Sequence, residues 1–153
     1  MSEKSVLSNL VSGYSTLMKI SQQRQARPFM LVTKEFVFDA AHNLVNYHGT
    51  CERLHGHTWR LQVTVRAPVG EDGLAFDFVE LKKRVNEKII SRLDHVYLND
   101  ILPQSSAENL AIWIWQELKE LPLYEIKVWE TPTSLVTYCG PGKTEGRGTK
   151  DER

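Results

Sequence analysis

Two strand-forming runs constrain this chain most. "FMLVTKEFVFDAAH", from Phe29, and "HTWRLQVTVRA", from His57, alternate or concentrate apolar, β-branched and aromatic residues. A polar loop holding "NYHGTCERL" joins them, so they are expected to pair antiparallel. After the turn "PVGEDG" and a short extension "LAFDF", the apolar period lengthens. Leu81, Val85 and Ile89 form one face of a helix over "VELKKRVNEKIISRL", with Asp77 as N-cap and Glu80 three residues on. The loop "DHVYLNDILPQ" follows, and Ser105 with Glu108 makes a second capping box ahead of "AENLAIWIWQELKEL". Two further strands, "YEIKVWET" and "SLVTYC", are separated by Pro132. Strand, strand, helix, helix, strand, strand predicts an α+β fold, an antiparallel sheet with a helix pair on one face.

The flanks read differently. Residues 1–28 place Leu7, Leu10, Val11, Tyr14, Leu17 and Met18 at helical spacing, with Gly13 weakening the pattern and "SQQRQARP" reading as a linker. This extension, outside a single domain at 29–140, is expected to be a packing or disordered segment rather than a membrane or partner helix, and to dock on the body, on a neighbouring subunit or nowhere. Residues 141–153 lack apolar side chains and are expected to be a disordered tail. The 19 basic and 19 acidic residues cancel, which removes any global attraction to nucleic acid or to an acidic membrane. Only Cys51 and Cys139 could form a disulfide, and no run approaches the ~18–20 apolar residues of a membrane span. Together with the lack of a secretory start, this predicts a soluble protein of the reducing cytoplasm.

The chemistry concentrates in "CERLHGHTWRL", residues Cys51 to Leu61. In a strand, His55 and His57 point to the same face, and His42 closes the preceding strand, where an antiparallel partner brings it beside them. Three neutral nitrogens with an open fourth position is the catalytic zinc pattern; the same letters also fit polar residues on a solvated strand face. Cys51 could complete such a site as a fourth ligand. Alternatively it stays free and acts on a substrate, which needs a nearby cation to favour the thiolate. Asp94 and His95, adjacent in a loop, are candidates for that pairing, or else a cap and a surface residue. Glu130, in "VWETPTS", occupies an apolar setting where an unpaired carboxylate is costly. It suits a planar donor edge such as the 2-amino group and N3–H of a pterin, or else a lysine or water. His48 reads as a surface residue, and Trp113 and Trp115 as helix packing.

Taken in order, "FDAAHNL", "CERLHGHTW", "LDHVYLND", "SAENLAIWIWQEL" and "VWETPTS" resemble the family of 6-pyruvoyl-tetrahydropterin and 6-carboxy-tetrahydropterin synthases, over about Phe29 to Tyr138. The resemblance implies the tunnelling fold, in which ββααββ subunits form trimers whose sheets close a barrel, usually paired into hexamers with active sites at subunit interfaces. It implies zinc on His42, His55 and His57, and Cys51 as the proton-transferring thiol. Asp94 and His95 would be its relay from a neighbouring subunit, and Glu130, Thr131 and Thr133 would contact the pterin. The implied substrate is 7,8-dihydroneopterin triphosphate, with magnesium a candidate companion of the triphosphate that no residue here marks.

The short C-x-x-x-H-G-H spacing resembles the bacterial 6-carboxy-tetrahydropterin synthases of queuosine biosynthesis, which release acetaldehyde; the animal enzymes making 6-pyruvoyl-tetrahydropterin have a longer one. Glu52 complicates this, because a folate-supplying branch carries E-x-x-H-G-H and yields 6-hydroxymethyl-7,8-dihydropterin. Both residues are present, as in members thought to run both reactions. A non-catalytic zinc or pterin-binding module is the alternative from a different class. A cupin-type H-x-H site is set aside, because no glutamate follows His57 at the spacing such sites use and two helices separate the strand pairs.

Overall fold

The computed structural model describes residues 27–142. The expected amphipathic extension and tail lie outside these residues, apart from a few positions at their inner ends. Strand β1 (Phe29–His42) pairs antiparallel with β2 (His55–Pro68) along its full length, from Phe29 opposite Pro68 to His42 opposite His55. The alternation seen in the sequence becomes the two faces of this ribbon. Phe36, Phe38, Ala40 and His42 turn inward with Trp59, Leu61 and Val63, while Glu35, Val37, Thr58 and Arg60 turn outward.

Helix α1 (Phe78–Val85) starts where the Asp77 carboxylate accepts the Val79 N–H at 2.7 Å, and it buries Leu81 and Val85. It runs on through a π-helical turn (Asn86–Ile90) and a last α turn (Ser91–Leu93), which bury Ile89 and Leu93. The expected reciprocal half of its capping box is not made, because Glu80 instead pairs with Arg84 one turn on, at 2.6 Å.

Three further strands, β3 (Val96–Tyr97), β4 (Leu123–Thr131) and β5 (Ser134–Tyr138), complete a five-stranded sheet of order β3-β1-β2-β4-β5. The sheet is therefore mixed rather than wholly antiparallel: part of the expected loop "DHVYLNDILPQ" is β3, which lies parallel to β1 with Val96 beside Ala40. His95, at a left-handed φ of 59°, redirects the chain, and its N–H donates to Asp39 O at 2.6 Å to begin the pairing.

Helix α2 (Ala107–Glu117) is capped by Ser106, whose Oγ accepts the Asn109 N–H at 3.3 Å. The expected cap, Ser105, is fully buried and donates its hydroxyl to Asn99 Oδ1 at 2.7 Å instead, so the cap falls one residue later. The core lies between the helices and the inner sheet face. Trp59, Leu61, Ile126 and Val128 meet Leu81, Ile89, Leu110 and Ile114, each burial worth roughly 1.5–3 kcal/mol. No helix among the described residues is long and apolar enough to cross a membrane.

Candidate metal centre

At one end of the β1–β2 ribbon the inner face changes from apolar to imidazole. His42 and His55 are direct cross-strand partners, and His57 follows two residues along β2 on the same face. Their ring centroids are 4.5 Å (His42–His55), 5.2 Å (His42–His57) and 4.9 Å (His55–His57) apart. Trp59 forms the floor, its ring edge-on to His42 at 5.0 Å and to His57 at 5.6 Å. The Trp59 indole N–H reaches Ala40 O at 3.3 Å, which ties the floor to β1.

Hydrogen bonds set the tautomers. His42 Nδ1 lies 2.9 Å from Ser105 O and His55 Nδ1 2.7 Å from Arg53 O. A carbonyl can only accept, so both Nδ1 atoms carry a proton, which directs Nε2 as the atom of each ring able to offer a lone pair. His42 Nε2 and His57 Nε2 are buried without a hydrogen-bond partner. Burial chiefly lowers the His57 pKa, opposed by Glu130 and reinforced by His42 and His55, so the ring is held neutral.

Glu130, near the end of β4, completes the cluster. Its Oε1 stands 3.1 Å from His42 Nε2 and 3.6 Å from His57 Nε2, so carboxylate and imidazole lone pairs converge on one point with no hydrogen bond between them. One donor atom from each of His42, His55, His57 and Glu130 falls within 4.8 Å of all the others. Two orphaned buried nitrogens would each cost about 1–3 kcal/mol. A cation among the four donors relieves that cost, and a nitrogen-rich set with one carboxylate suits zinc or a similar first-row divalent ion. Sequence reasoning placed Glu130 on a substrate and missed its approach to the histidines. The signal lies in the sheet register, since Trp129 opposite Arg60 sets Glu130 level with Trp59.

The other expected site residues lie around this cluster. Cys51 is half-buried in a 3-10 turn (Thr50–Glu52) that the Leu44 N–H secures through Cys51 O at 2.8 Å. Its sulfur is not among the clustered donor atoms. Glu52 is exposed and borders an open cleft with His48, Gly49, Thr50 and Arg53. Asp94 and His95 do form a dyad, Asp94 Oδ1 lying 2.9 Å from His95 Nδ1 and accepting the Asp39 N–H at 3.0 Å. That N–H, and then the His95 ring, hold the Asp94 pKa below its ordinary value. The His95 side chain is 77% exposed and, with Asp39, Gly56 and His57, lines an open cleft of about 520 Å³. Glu130 also borders a cleft of about 280 Å³ with Ser106 and Glu108. Thr131 Oγ1 accepts the Thr133 N–H at 3.4 Å in the turn between β4 and β5.

The family described as 6-pyruvoyl tetrahydropterin synthase matches residues 31–141. The 6-carboxy-5,6,7,8-tetrahydropterin synthase of Synechocystis sp. is 40% identical over 121 residues, covering 72% of this chain and 94% of the relative. The protein of that name from Haemophilus influenzae is 32% identical over 136 residues, covering 70% and 96%. The 6-pyruvoyl tetrahydrobiopterin synthase of Dictyostelium discoideum is 33% identical over 131 residues, covering 72% and 96%. Among solved structures, Caenorhabditis elegans 6-pyruvoyl tetrahydropterin synthase superimposes with a TM-score of 0.69 at 27% identity, over 75% of this chain and 98% of that one.

Proposed function

Because the chain belongs to the 6-pyruvoyl tetrahydropterin synthase family, we propose that it is a zinc-dependent carbon–carbon lyase acting on 7,8-dihydroneopterin triphosphate. The product is 6-carboxy-5,6,7,8-tetrahydropterin, with acetaldehyde and triphosphate released, a step of queuosine biosynthesis. The observation that carries this reading is the group of His42, His55, His57 and Glu130 with its two orphaned Nε2 atoms. The names of two similar relatives, from Synechocystis and Haemophilus, favour the 6-carboxy product.

Zinc on the three imidazoles supplies Lewis acidity toward the substrate's side-chain hydroxyls. The chain's own residues do the rest. Cys51, outside the donor group, moves a proton at the side-chain carbon next to the ring. Asp94 and His95 relay that proton from a neighbouring copy, in keeping with the exposure of the His95 ring. The active unit is accordingly a trimer or hexamer with sites at its subunit interfaces. With the metal on the three imidazoles, Glu130, which also borders the cleft with Ser106 and Glu108, is left to accept the pterin's paired N–H donors, and Thr131 and Thr133 contact the substrate beside it. The free Cys51 and Cys139 thiols fit a cytoplasmic setting.

A second product is favoured by Glu52, which is exposed at the cleft rim beside Cys51 and available to act in its place to give 6-hydroxymethyl-7,8-dihydropterin. The test is incubation of zinc-loaded protein with the substrate, products resolved by mass, beside Cys51→Ala and Glu52→Ala. A 6-carboxy product lost with Cys51→Ala alone supports the first reading, and a hydroxymethyl product dependent on Glu52 supports a dual enzyme. A 6-pyruvoyl product would move the chain to the other branch. Absence of turnover, with sulfur in the metal's first shell by X-ray absorption, would leave a non-catalytic binding module.

A further inference from the structure

Strand β3 leaves β1 just before the metal centre. Val96 and Tyr97 pair with Ala40 and Ala41, and the same register would set Leu98 beside His42 and Asn99 beside Asn43. At that point the backbone turns into a 3-10 helix (Leu98–Asp100) and cannot continue the ladder. The Asn99 side chain continues it instead. Its Oδ1 accepts the Asn43 N–H at 3.0 Å and its Nδ2 donates to Asn43 O at 2.9 Å, the paired bonds a neighbouring strand would make.

The same amide also governs Ser105. Asn99 Oδ1 accepts the Ser105 hydroxyl at 2.7 Å, and Nδ2 lies 3.3 Å from Pro103 O, so one side chain holds both Asn43 and the segment that carries the Ser105 carbonyl. That carbonyl takes the His42 Nδ1 proton at 2.9 Å. His42 and Ser105 are both fully buried, and the His42 Nδ1–Ser105 O bond lies out of solvent.

Given that the centre holds zinc, as proposed above, we infer that Asn99 is a positioning residue for the ligand His42. It fixes the Nε2-ligating tautomer and the ring orientation through Ser105 O, and holds the ligand's backbone through Asn43. Gln104 makes a similar clamp two residues further along, accepting the Val45 N–H at 2.7 Å and lying 3.3 Å from Val45 O, but has no bond to Asn43 or to the Ser105 hydroxyl. It is the internal control.

The experiment measures zinc affinity by competition with a chromophoric chelator, and the visible spectrum of the cobalt(II)-loaded protein, for the full chain and for Asn99→Ala, Asn99→Asp and Gln104→Ala. Loss of an outer-shell partner typically weakens metal binding about 10–100-fold, and that is expected for Asn99→Ala together with altered cobalt bands. Asn99→Asp keeps the acceptor but sets a carboxylate oxygen against Asn43 O and Pro103 O in place of the donor, so it shifts the same way. Gln104→Ala stays close to wild type. A folded Asn99→Ala with wild-type affinity and spectrum overturns the inference, as does Gln104→Ala weakening binding equally. If Asn99→Ala does not fold, wild-type zinc affinity in Asn99→Asp overturns it. A wild-type chain that takes up no zinc defeats the functional reading itself, whereas zinc binding indifferent to Asn99 defeats only the positioning role.

Discussion

His42→Phe separates a metal ligand from a core residue that happens to be histidine. The side chain is 0% exposed and lies among the rings of His55, His57 and Trp59, so phenylalanine, similar in size and shape, fits with little repacking. Two effects oppose each other without metal. Removing the orphaned Nε2 relieves about 1–3 kcal/mol, while leaving the buried Ser105 carbonyl without its Nδ1–H partner costs about 1–3 kcal/mol. They roughly cancel, and metal-free His42→Phe is expected within about 1 kcal/mol of wild type. Zinc at a hundred times its dissociation constant stabilises wild type by about 2.7 kcal/mol, a Tm rise of roughly 8 °C for a chain of this size. The variant should lose most of that rise. The assay is thermal and urea unfolding of both proteins, with zinc and with chelator. If the metal-free variant is destabilised by more than about 3 kcal/mol, or keeps the full zinc-induced rise, His42 is a packing residue and the ligand assignment fails.

Because burial lowers the His57 pKa, the unfolded chain takes up protons around its ordinary value of 6.5 before the folded one does. Metal-free stability should therefore be fully present above that pH and fall on acidification toward the lower folded pKa; urea midpoints that stay flat or rise on acidification would contradict it. His95→Ala should cut turnover by about 10²–10⁴-fold while leaving zinc affinity unchanged, because its ring is exposed and outside the donor group. Equal loss of zinc in a metal titration would show that it supports the centre and relays no proton. Ser106→Ala should cost about 1 kcal/mol in urea unfolding through loss of the α2 cap. A cost near zero would return the cap to Ser105.

The sheet ribbon, the helix pair and the shared face of His55 and His57 were legible in the sequence because they rest on local periods of two and 3.6 residues, which a chain displays without reference to distant partners. The Asp77 cap belongs to the same class, since its bond spans only two residues. The family resemblance drew on the same ordered motifs, and the match over residues 31–141 agrees with it.

What only tertiary structure decided involves choices among competing long-range partners. Ser105 and Ser106 offer the same hydroxyl, and burial of the first against Asn99 leaves the second to cap α2. The two-residue β3 is too short to show a period and exists because the left-handed His95 lays it along β1. Glu130 meets His42 across 88 positions of chain only because the β2–β4 register sets it level with Trp59. A carboxylate's neighbours in sequence say that burying it is costly; which buried nitrogens it faces depends on how the strands close over the core.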